Sequence, residues 1–396
     1  MKRIVAAAAI LGLTAGWTVA NVGAIAAETA AAYGVGLATV GLFATAQFFM
    51  HLVMQLPSGR ATDRFGASRI AFLGMAVIGA GACVAMIAPV SALAFVGRAM
   101  TGVGTGLAFV AGVDYVRAVG GSPFMQGLFG GLSLGGGGLA IAIVPQLEGA
   151  LSWRAPYWTI LPMVLLGLIM LAAAPAELVE AKHRDSGRTP MRVLLNDLRL
   201  YRLAAVYAAS LGLSVVVANW VVEIITEHSD VGLGTAGAVG AITLIVTIAT
   251  RPLGGWILHV HPGIVRTAVG ASLVAGALGS LALMVAQPIW LAALGGLLLG
   301  IGAGIPFSPS FTGAAVTRPD APAAAVGFVN SASALVVVAG TPLLGLTFSL
   351  PGDGRVGFAI VAVLWLVALA ALPARQVLGA PRAAEAARGE LRSAPS

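Results

Sequence analysis

Gly59-Arg60-Ala61-Thr62-Asp63-Arg64-Phe65-Gly66-Ala67-Ser68-Arg69 reads as a charged, glycine-punctuated turn between two long apolar segments. An acid beside arginines at the mouth of an apolar hairpin is costly inside a bilayer and tolerable at its edge, where the charges hold partners. The rest of the chain fits a membrane around that turn. Hydrophobic residues make up 59% and charged residues 9%, with a mean hydropathy of +0.96, whereas soluble domains carry roughly 25% charged residues. A spanning helix needs about 20 apolar residues. Twelve segments qualify: 4–25, 36–57, 70–88, 92–113, 125–144, 157–174, 203–225, 235–256, 267–286, 290–312, 325–348 and 356–373. The 53 glycines suit helices that approach closely and slide past one another. The expected fold class is an all-α polytopic membrane protein of twelve transmembrane helices.

A net charge of +7 and a pI near 10.3 invite a nucleic-acid reading, and the placement of the bases removes it. With both termini inside, only Arg154 and Arg355 fall in outer loops and only Arg98 and Arg251 inside spans; every other lysine and arginine is cytoplasmic. The outer loops carry Glu28, Glu148, Glu227, Asp230 and Asp353. This is the bias that orients short loops. It predicts a multi-pass protein of the cytoplasmic membrane with both ends cytoplasmic, a lipid bilayer as its surroundings and no nucleic acid as partner. Cys83 stands alone in an apolar segment, which leaves no disulfide framework and no metal-binding pair and suggests a small packing residue. Lys2-Arg3, the apolar run and Ala24-Ile25-Ala26-Ala27 also fit a cleaved signal peptide. The first-span reading is preferred because removal would leave eleven spans and break an internal repeat.

That repeat is visible in spaced landmarks. Gly59 and Gly255 differ by 196 positions, the glycine runs starting at Gly97 and Gly295 by 198, Gly130 with Pro145 and Gly327 with Pro342 by 197, and Leu11-Gly12-Leu13-Thr14 and Leu211-Gly212-Leu213-Ser214 by 200. Two six-helix bundles follow, pseudo-symmetric and parallel, an arrangement that puts a substrate site at their interface near mid-membrane. The expected organisation is an N-terminal bundle at 1–174, a cytoplasmic linker at 175–202, a C-terminal bundle at 203–374 and a disordered cytoplasmic tail at 375–396. Within the linker, residues 190–200 interleave Leu194, Leu195 and Leu198 with Arg192 and Arg199, as an amphipathic helix on headgroups would.

The Gly59-x-x-x-Asp63-Arg64-x-Gly66 spacing resembles the loop between the second and third helices of major facilitator superfamily transporters. Ala67 and Ser68 occupy places where that family usually carries a basic residue, and Arg69 comes one place late. The resemblance implies two bundles that rock about a central site, with Gly59, Asp63, Arg64 and Gly66 as a conformational gate. There the acid pairs with arginines and the opposite bundle to hold the outward-facing state. The second such loop has His259 at the acid's place, so Asp63 has no twin.

A charge inside a spanning segment is a functional hypothesis by default. Arg98, followed by Gly102, Gly104 and Gly106, resembles the superfamily's fourth-helix motif, whose arginine is associated with proton coupling in many members. Alternatively it braces the N-terminal half on backbone carbonyls. Arg251-Pro252-Leu253-Gly254-Gly255 resembles the nitrate/nitrite porter branch, along with cyanate-type porters, where the arginine at this place contacts the anion. A guanidinium offers fixed parallel donors and a permanent charge, which suits a small planar anion or a carboxylate. The second arginine of that branch is replaced here by Gln55; otherwise Arg251 is an interfacial brace near its helix end. Glu223, beside Asn219 and Trp220, is a proton-coupling candidate, because a carboxyl in a low-dielectric site can take and release a proton. The alternative leaves it hydrated near the outer surface with Glu227.

Softer signals complete the candidate site. Trp17 and Asn21 share a face of the first helix, and Gln47, His51 and Gln55 form a row along the second. Such a row faces a cavity or other protein, not lipid; His51 either relays protons or is satisfied by a neighbouring hydroxyl. Ser133-Leu134-Gly135-Gly136-Gly137-Gly138 resembles the glycine-rich nitrate signature with Ser133 in place of asparagine, and its repeat counterpart is Asn330-Ser331-Ala332-Ser333. Pro306 and Pro309 flank Ser308 and break the tenth span, as a cavity-facing opening or a packing kink.

No nucleotide-cradling loop and no catalytic or metal-spaced constellation is present in the sequence. The expectation is not an enzyme, with no cofactor and no metal, but a secondary active transporter. It is expected to act as a monomer, driven by a coupling ion, a proton, and to carry a small inorganic or organic anion by alternating access in symport. Proton-driven efflux of drugs or other lipophilic or neutral solutes is the alternative, and a transporter-derived sensor a further one.

Overall fold

The structure is a computed structural model that describes residues 2–118, 120, 123–174, 194–320 and 322–379. Among these residues every regular element is helical. Hydrocarbon offers no partner to a backbone N–H or C=O, so a chain this apolar satisfies its peptide groups within helices. Ten stretches are long and apolar enough to cross a membrane, and Ile160–Ala173 and Arg355–Ala370 are shorter apolar helices. Inner and outer below name the two ends of the molecule as the arginine placement orients them.

The first span is Lys2–Ala20 continued by Ala26–Tyr33; the second, third, fourth and fifth are Leu37–Phe65, Ala67–Met86, Ser91–Ala118 and Pro123–Leu151. Ala155–Trp158 and Ile160–Ala173 form the sixth. The seventh is built of Leu198–Tyr207, a π-helical segment Ala208–Leu213, Ser214–Ala218 and Val221–His228. Leu233–Ile245 with Thr247–Val260, Val265–Val285, Ile289–Gly304 with Phe307–Thr317, Pro322–Thr347 and Arg355–Ala370 follow as the eighth to the twelfth, a grouping of the described helices consistent with twelve spans.

The two bundles repeat one packing scheme. A Cβ added to Gly81 would lie 2.5 Å from the Gly97 carbonyl oxygen, and one added to Gly279 would lie 2.6 Å from that of Gly295. Both pairs place the third and ninth spans backbone to backbone against the fourth and tenth. Between bundles, a Cβ added to Gly41 of the second span would lie 2.8 Å from Pro342 of the eleventh, and one added to Gly237 of the eighth 2.7 Å from Pro145 of the fifth. Each seam seats a glycine on a proline kink, where only a missing side chain allows the approach. Large apolar side chains such as Leu165, Ile169, Val363 and Val367 are exposed on the sixth and twelfth spans. Bilayer contact accounts for them; in water such patches would associate.

Several expected boundaries are corrected. The charged turn is mostly helix: Leu37–Phe65 runs through Gly59 to Phe65, and the reversal is confined to Gly66 at φ 89. Pro57 and Gly59 lie inside this helix without ending it. The 29 residues reach about 44 Å, past a hydrocarbon core of about 30 Å, so the last turns stand in the aqueous layer. Of the helix expected over 190–200, Leu194 and Leu195 are helical and Asp197 interrupts it before Leu198. Residues 190–193 lie outside the described set, and Asp197 caps a new helix starting at Leu198, its side chain accepting from the Arg199 backbone N–H. Most of the linker, 175–193, is also outside the described residues. The tail is not free from residue 375: Leu378 is fully buried, and the chain at Val377 and Leu378 packs on Gly313; residues 380–396 are not described. Cys83 is exposed, not a packing residue.

Candidate functional site

The fifth span forms the wedge between the bundles. Gly127 and Gly131 lie against backbone atoms of Arg251, Pro252 and Thr247, and Gly138 lies against Ile245. In the four-glycine run, Gly136 approaches the first span at Leu13, Gly137 lies between Leu244 of the eighth and Gly16 of the first, and Gly135 and Gly138 approach the eighth. Ser133 donates to the Phe129 carbonyl at 2.8 Å and is spent inside its own helix.

This close approach delivers Arg251 into the seam. The residue is 3% exposed, and its guanidinium donates from Nη1 to the Gly130 carbonyl oxygen of the other bundle at 2.9 Å. Its Cζ lies 4.4 Å from the centroid of Phe307, just past the Pro306 break of the tenth span. Tyr207 of the seventh span stands close enough to interact electrostatically and packs against Phe307. Nε and Nη2 are buried without a partner. Each orphaned donor of a charged group costs about 2 kcal/mol or more, and the stacking ring offsets only about 2 kcal/mol. The far side of the same seam has an apolar side-chain lining among the described residues. It is an apolar groove of about 360 Å³ lined by Phe124, Leu128, Ile248, Ala249, Pro252, Leu253 and Trp256.

Arg98 has the opposite situation. It is 1% exposed, and Nε, Nη1 and Nη2 donate to the Phe43 carbonyl, Asn21 Oδ1 and the Thr18 carbonyl at 3.5, 3.1 and 3.0 Å. Asn21 donates in turn to the Pro156 carbonyl, Trp17 Nε1 to Thr159 Oγ1, and Gln47 Nε2 to Thr18 Oγ1. Trp17, Asn21, Gln47 and Arg98 thus tie four spans of one bundle together. His51 and Gln55 form a second internal set. Thr105 donates its hydroxyl to the Gly102 carbonyl, so it accepts from His51 Nδ1, and Gln55 Nε2 reaches His51 Nε2 at 2.8 Å. The neutral Nδ1–H tautomer satisfies both contacts.

At the outer end Asn219 and Trp220 occupy the break of the seventh span. Asn219 Nδ2 donates to the Val215 carbonyl, and Trp220 Nε1 crosses to the Thr341 carbonyl of the eleventh. Gly23, in the break of the first span, sits directly on Asn219 backbone atoms. Asn21 and Asn219 are 198 positions apart, so the two helix breaks are repeat counterparts that meet face to face. Thr45 Oγ1 adds a bond to the Val338 carbonyl at 2.7 Å, which closes the second span on the eleventh. At the inner ends of those two spans, a Cβ on Gly59 or Gly327 would meet nothing within 4 Å. Glu223 is 6% exposed, with Glu28 of the first span, Glu227 and the Ala27 backbone as neighbours. Asn330 is half-buried on the eleventh span. Arg64 is exposed with its guanidinium over Phe65, and the side chain of Asp63 lies outside the described residues.

The geometry therefore separates the candidates. Arg251 stands between bundles with free donors; Arg98, Trp17, Asn21, His51 and Gln55 are held within one bundle; Asn219, Trp220 and Glu223 belong to the outer closure. Phe307, Tyr207 and Gly130, which complete the surroundings of Arg251, were not singled out as site residues by the sequence. The only available signal was the Pro306–Pro309 break beside Phe307.

The family model for the Major Facilitator Superfamily matches residues 6–341. This chain belongs to the major facilitator superfamily. Among solved structures, an aspartate-to-alanine mutant of the nucleoside transporter NupG is similar at 12% identity and TM-score 0.72, over 93% of this chain and 98% of that one. The human organic anion transporter MFSD10 (TETRAN) is similar at 17% identity and TM-score 0.65, over 94% and 99%. No curated protein sequence matches the chain. At such identities the structural likeness speaks for the fold alone; the match to the superfamily model is what supports a multi-pass membrane transporter.

Proposed function

We propose that this superfamily member is a secondary active transporter that carries a small anion across the cytoplasmic membrane by alternating access, coupled to a proton. The observation behind this reading is Arg251: a permanently charged group at the junction of the two bundles, buried, with two donors unspent. A buried cation without a counter-ion is expensive, and an anion that enters the seam removes the expense. Substrate would then stabilise the state in which both bundles close on it, which is how a substrate shifts such an equilibrium. MFSD10, whose structure this chain resembles, is an organic anion transporter, in agreement with that charge.

Coupling falls to Glu223, the buried carboxyl in the outer closure. Arg98 fits a brace better, because its three nitrogens already rest on neutral oxygens. The packing of Gly23 on Asn219 and of Gly41 on Pro342 closes the outer end, so this conformation fits the inward side of the cycle. Gly59, Asp63, Arg64 and Gly66 form the inner gate of the opposite state, with Gly66 at a φ of 89 that favours glycine. Both termini are cytoplasmic, and the working unit is one chain.

The test is counterflow in proteoliposomes of the full chain: trans-stimulated uptake of a labelled anion, saturable and lost in Arg251→Gln, supports the reading. Uptake confined to neutral or cationic solutes contradicts it.

A further inference from the structure

Which anion the site takes depends on which part of the guanidinium is free. Nη1 is committed to the Gly130 carbonyl at 2.9 Å, and one face of the group is covered by the Phe307 ring at 4.4 Å. The unpartnered atoms are Nε and Nη2, which lie on one edge of the planar group with N–H bonds parallel. That edge is a two-pronged donor, and its match is a pair of oxygens in one plane.

Charge sets the second condition. Arg251 makes no described ion pair, Arg98 is enclosed among neutral oxygens, and the groove behind the seam is apolar. One negative charge neutralises the site; a second would stay buried and unpaired.

We propose that the Nε–Nη2 edge of Arg251 binds a monovalent oxyanion through two coplanar oxygens, a monocarboxylate, and discriminates against dianions and halides. This rests on the anion reading of Arg251 and narrows it. A halide aligns with one donor at a time, and a dicarboxylate brings a charge with no partner. The same oxygen pair occurs in nitrate, whereas the aromatic neighbours Phe307, Tyr207 and Phe311 give an apolar wall that favours an organic body.

The experiment is equilibrium binding of butyrate, benzoate, nitrate, chloride and succinate to the purified full chain in lipid nanodiscs, at fixed pH and ionic strength. Butyrate and benzoate are expected to bind at least tenfold more tightly than chloride and succinate, and Arg251→Lys, which keeps the charge and loses the fork, is expected to lose at least tenfold for both. Nitrate above the carboxylates, with the same ranking over chloride and succinate, overturns the monocarboxylate assignment and leaves the two-pronged oxyanion site in place. Chloride or succinate equal to butyrate overturns the proposal and leaves an anion site in place. No binding of any probe, or binding unchanged in Arg251→Gln, overturns the anion reading itself. The wild-type ranking decides the matter if a variant does not fold.

Discussion

Arg251 of the eighth span donates a hydrogen bond to the carbonyl oxygen of Gly130 in the fifth, 2.9 Å across the seam between the two bundles. The bond exists because Gly127 and Gly131, flanking it on the same helix, let the two backbones touch. A Cβ on Gly130 would fall 2.7 Å from Phe307 Cζ and 3.1 Å from Arg251 Nη1. Gly130→Ala is expected to push ring and guanidinium off their positions and weaken anion binding about tenfold, an effect of roughly 1.4 kcal/mol. Titration of the variant in nanodiscs checks this; unchanged affinity separates the seam from the site.

The outer closure hinges on a second contact without side chain. Gly23 lies on the Asn219 backbone, so Gly23→Ala is expected to hold the outer ends apart. Spin labels at Gly149→Cys and Asp230→Cys, in a Cys83→Ser background, are expected to show a longer mean distance than in the chain with Gly23. An unchanged distance distribution removes this contact from the gate.

Glu223 carries the proposed coupling. Glu223→Gln keeps its shape and cannot ionise, so uptake against a pH gradient is expected to lose its dependence on that gradient while exchange of anion for anion persists. Retained gradient dependence takes Glu223 out of the mechanism.

Asp197 starts the C-terminal bundle. Its carboxylate accepts from the Arg199 side chain and backbone N–H, and the Arg199 side-chain bond, first among the causes, holds the Asp197 carboxyl below its usual range. A depressed folded value contributes stability above the ordinary aspartate range and loses it as the pH falls through the folded value. Asp197→Ala is expected to destabilise by about 1 kcal/mol, as a lost N-cap does. The difference from wild type is expected to shrink on acidification, as thermal unfolding across a pH series would show; a constant difference denies the ionised cap its role.

Much of the fold was legible because membrane physics writes itself into composition and charge placement. The apolar runs marked the spans, and two of the glycine landmarks that exposed the repeat, Gly97 and Gly295, pack against Gly81 and Gly279. Span ends were less legible. Arg60, Thr62 and Arg64 look like a loop by polarity, but a helix can leave the bilayer still intact, and only Gly66 stops it. Arg251 was visible as a misplaced charge. Its partners were not: a backbone carbonyl at Gly130 has no signature, and Phe307 and Tyr207 look like any core aromatic. The row His51–Gln55 and the pair Trp17–Asn21 suggested a cavity, yet polar groups inside a bundle can satisfy one another, as the Thr105 and Thr159 hydroxyls show.

The most direct test of the account is uptake into proteoliposomes of a labelled panel of small anions, neutral solutes and lipophilic cations, with and without an inward proton gradient, for wild type and Arg251→Gln. The account predicts saturable uptake of anions, raised by the gradient and abolished in the variant. Uptake of neutral or cationic compounds alone, indifferent to Arg251, would contradict it.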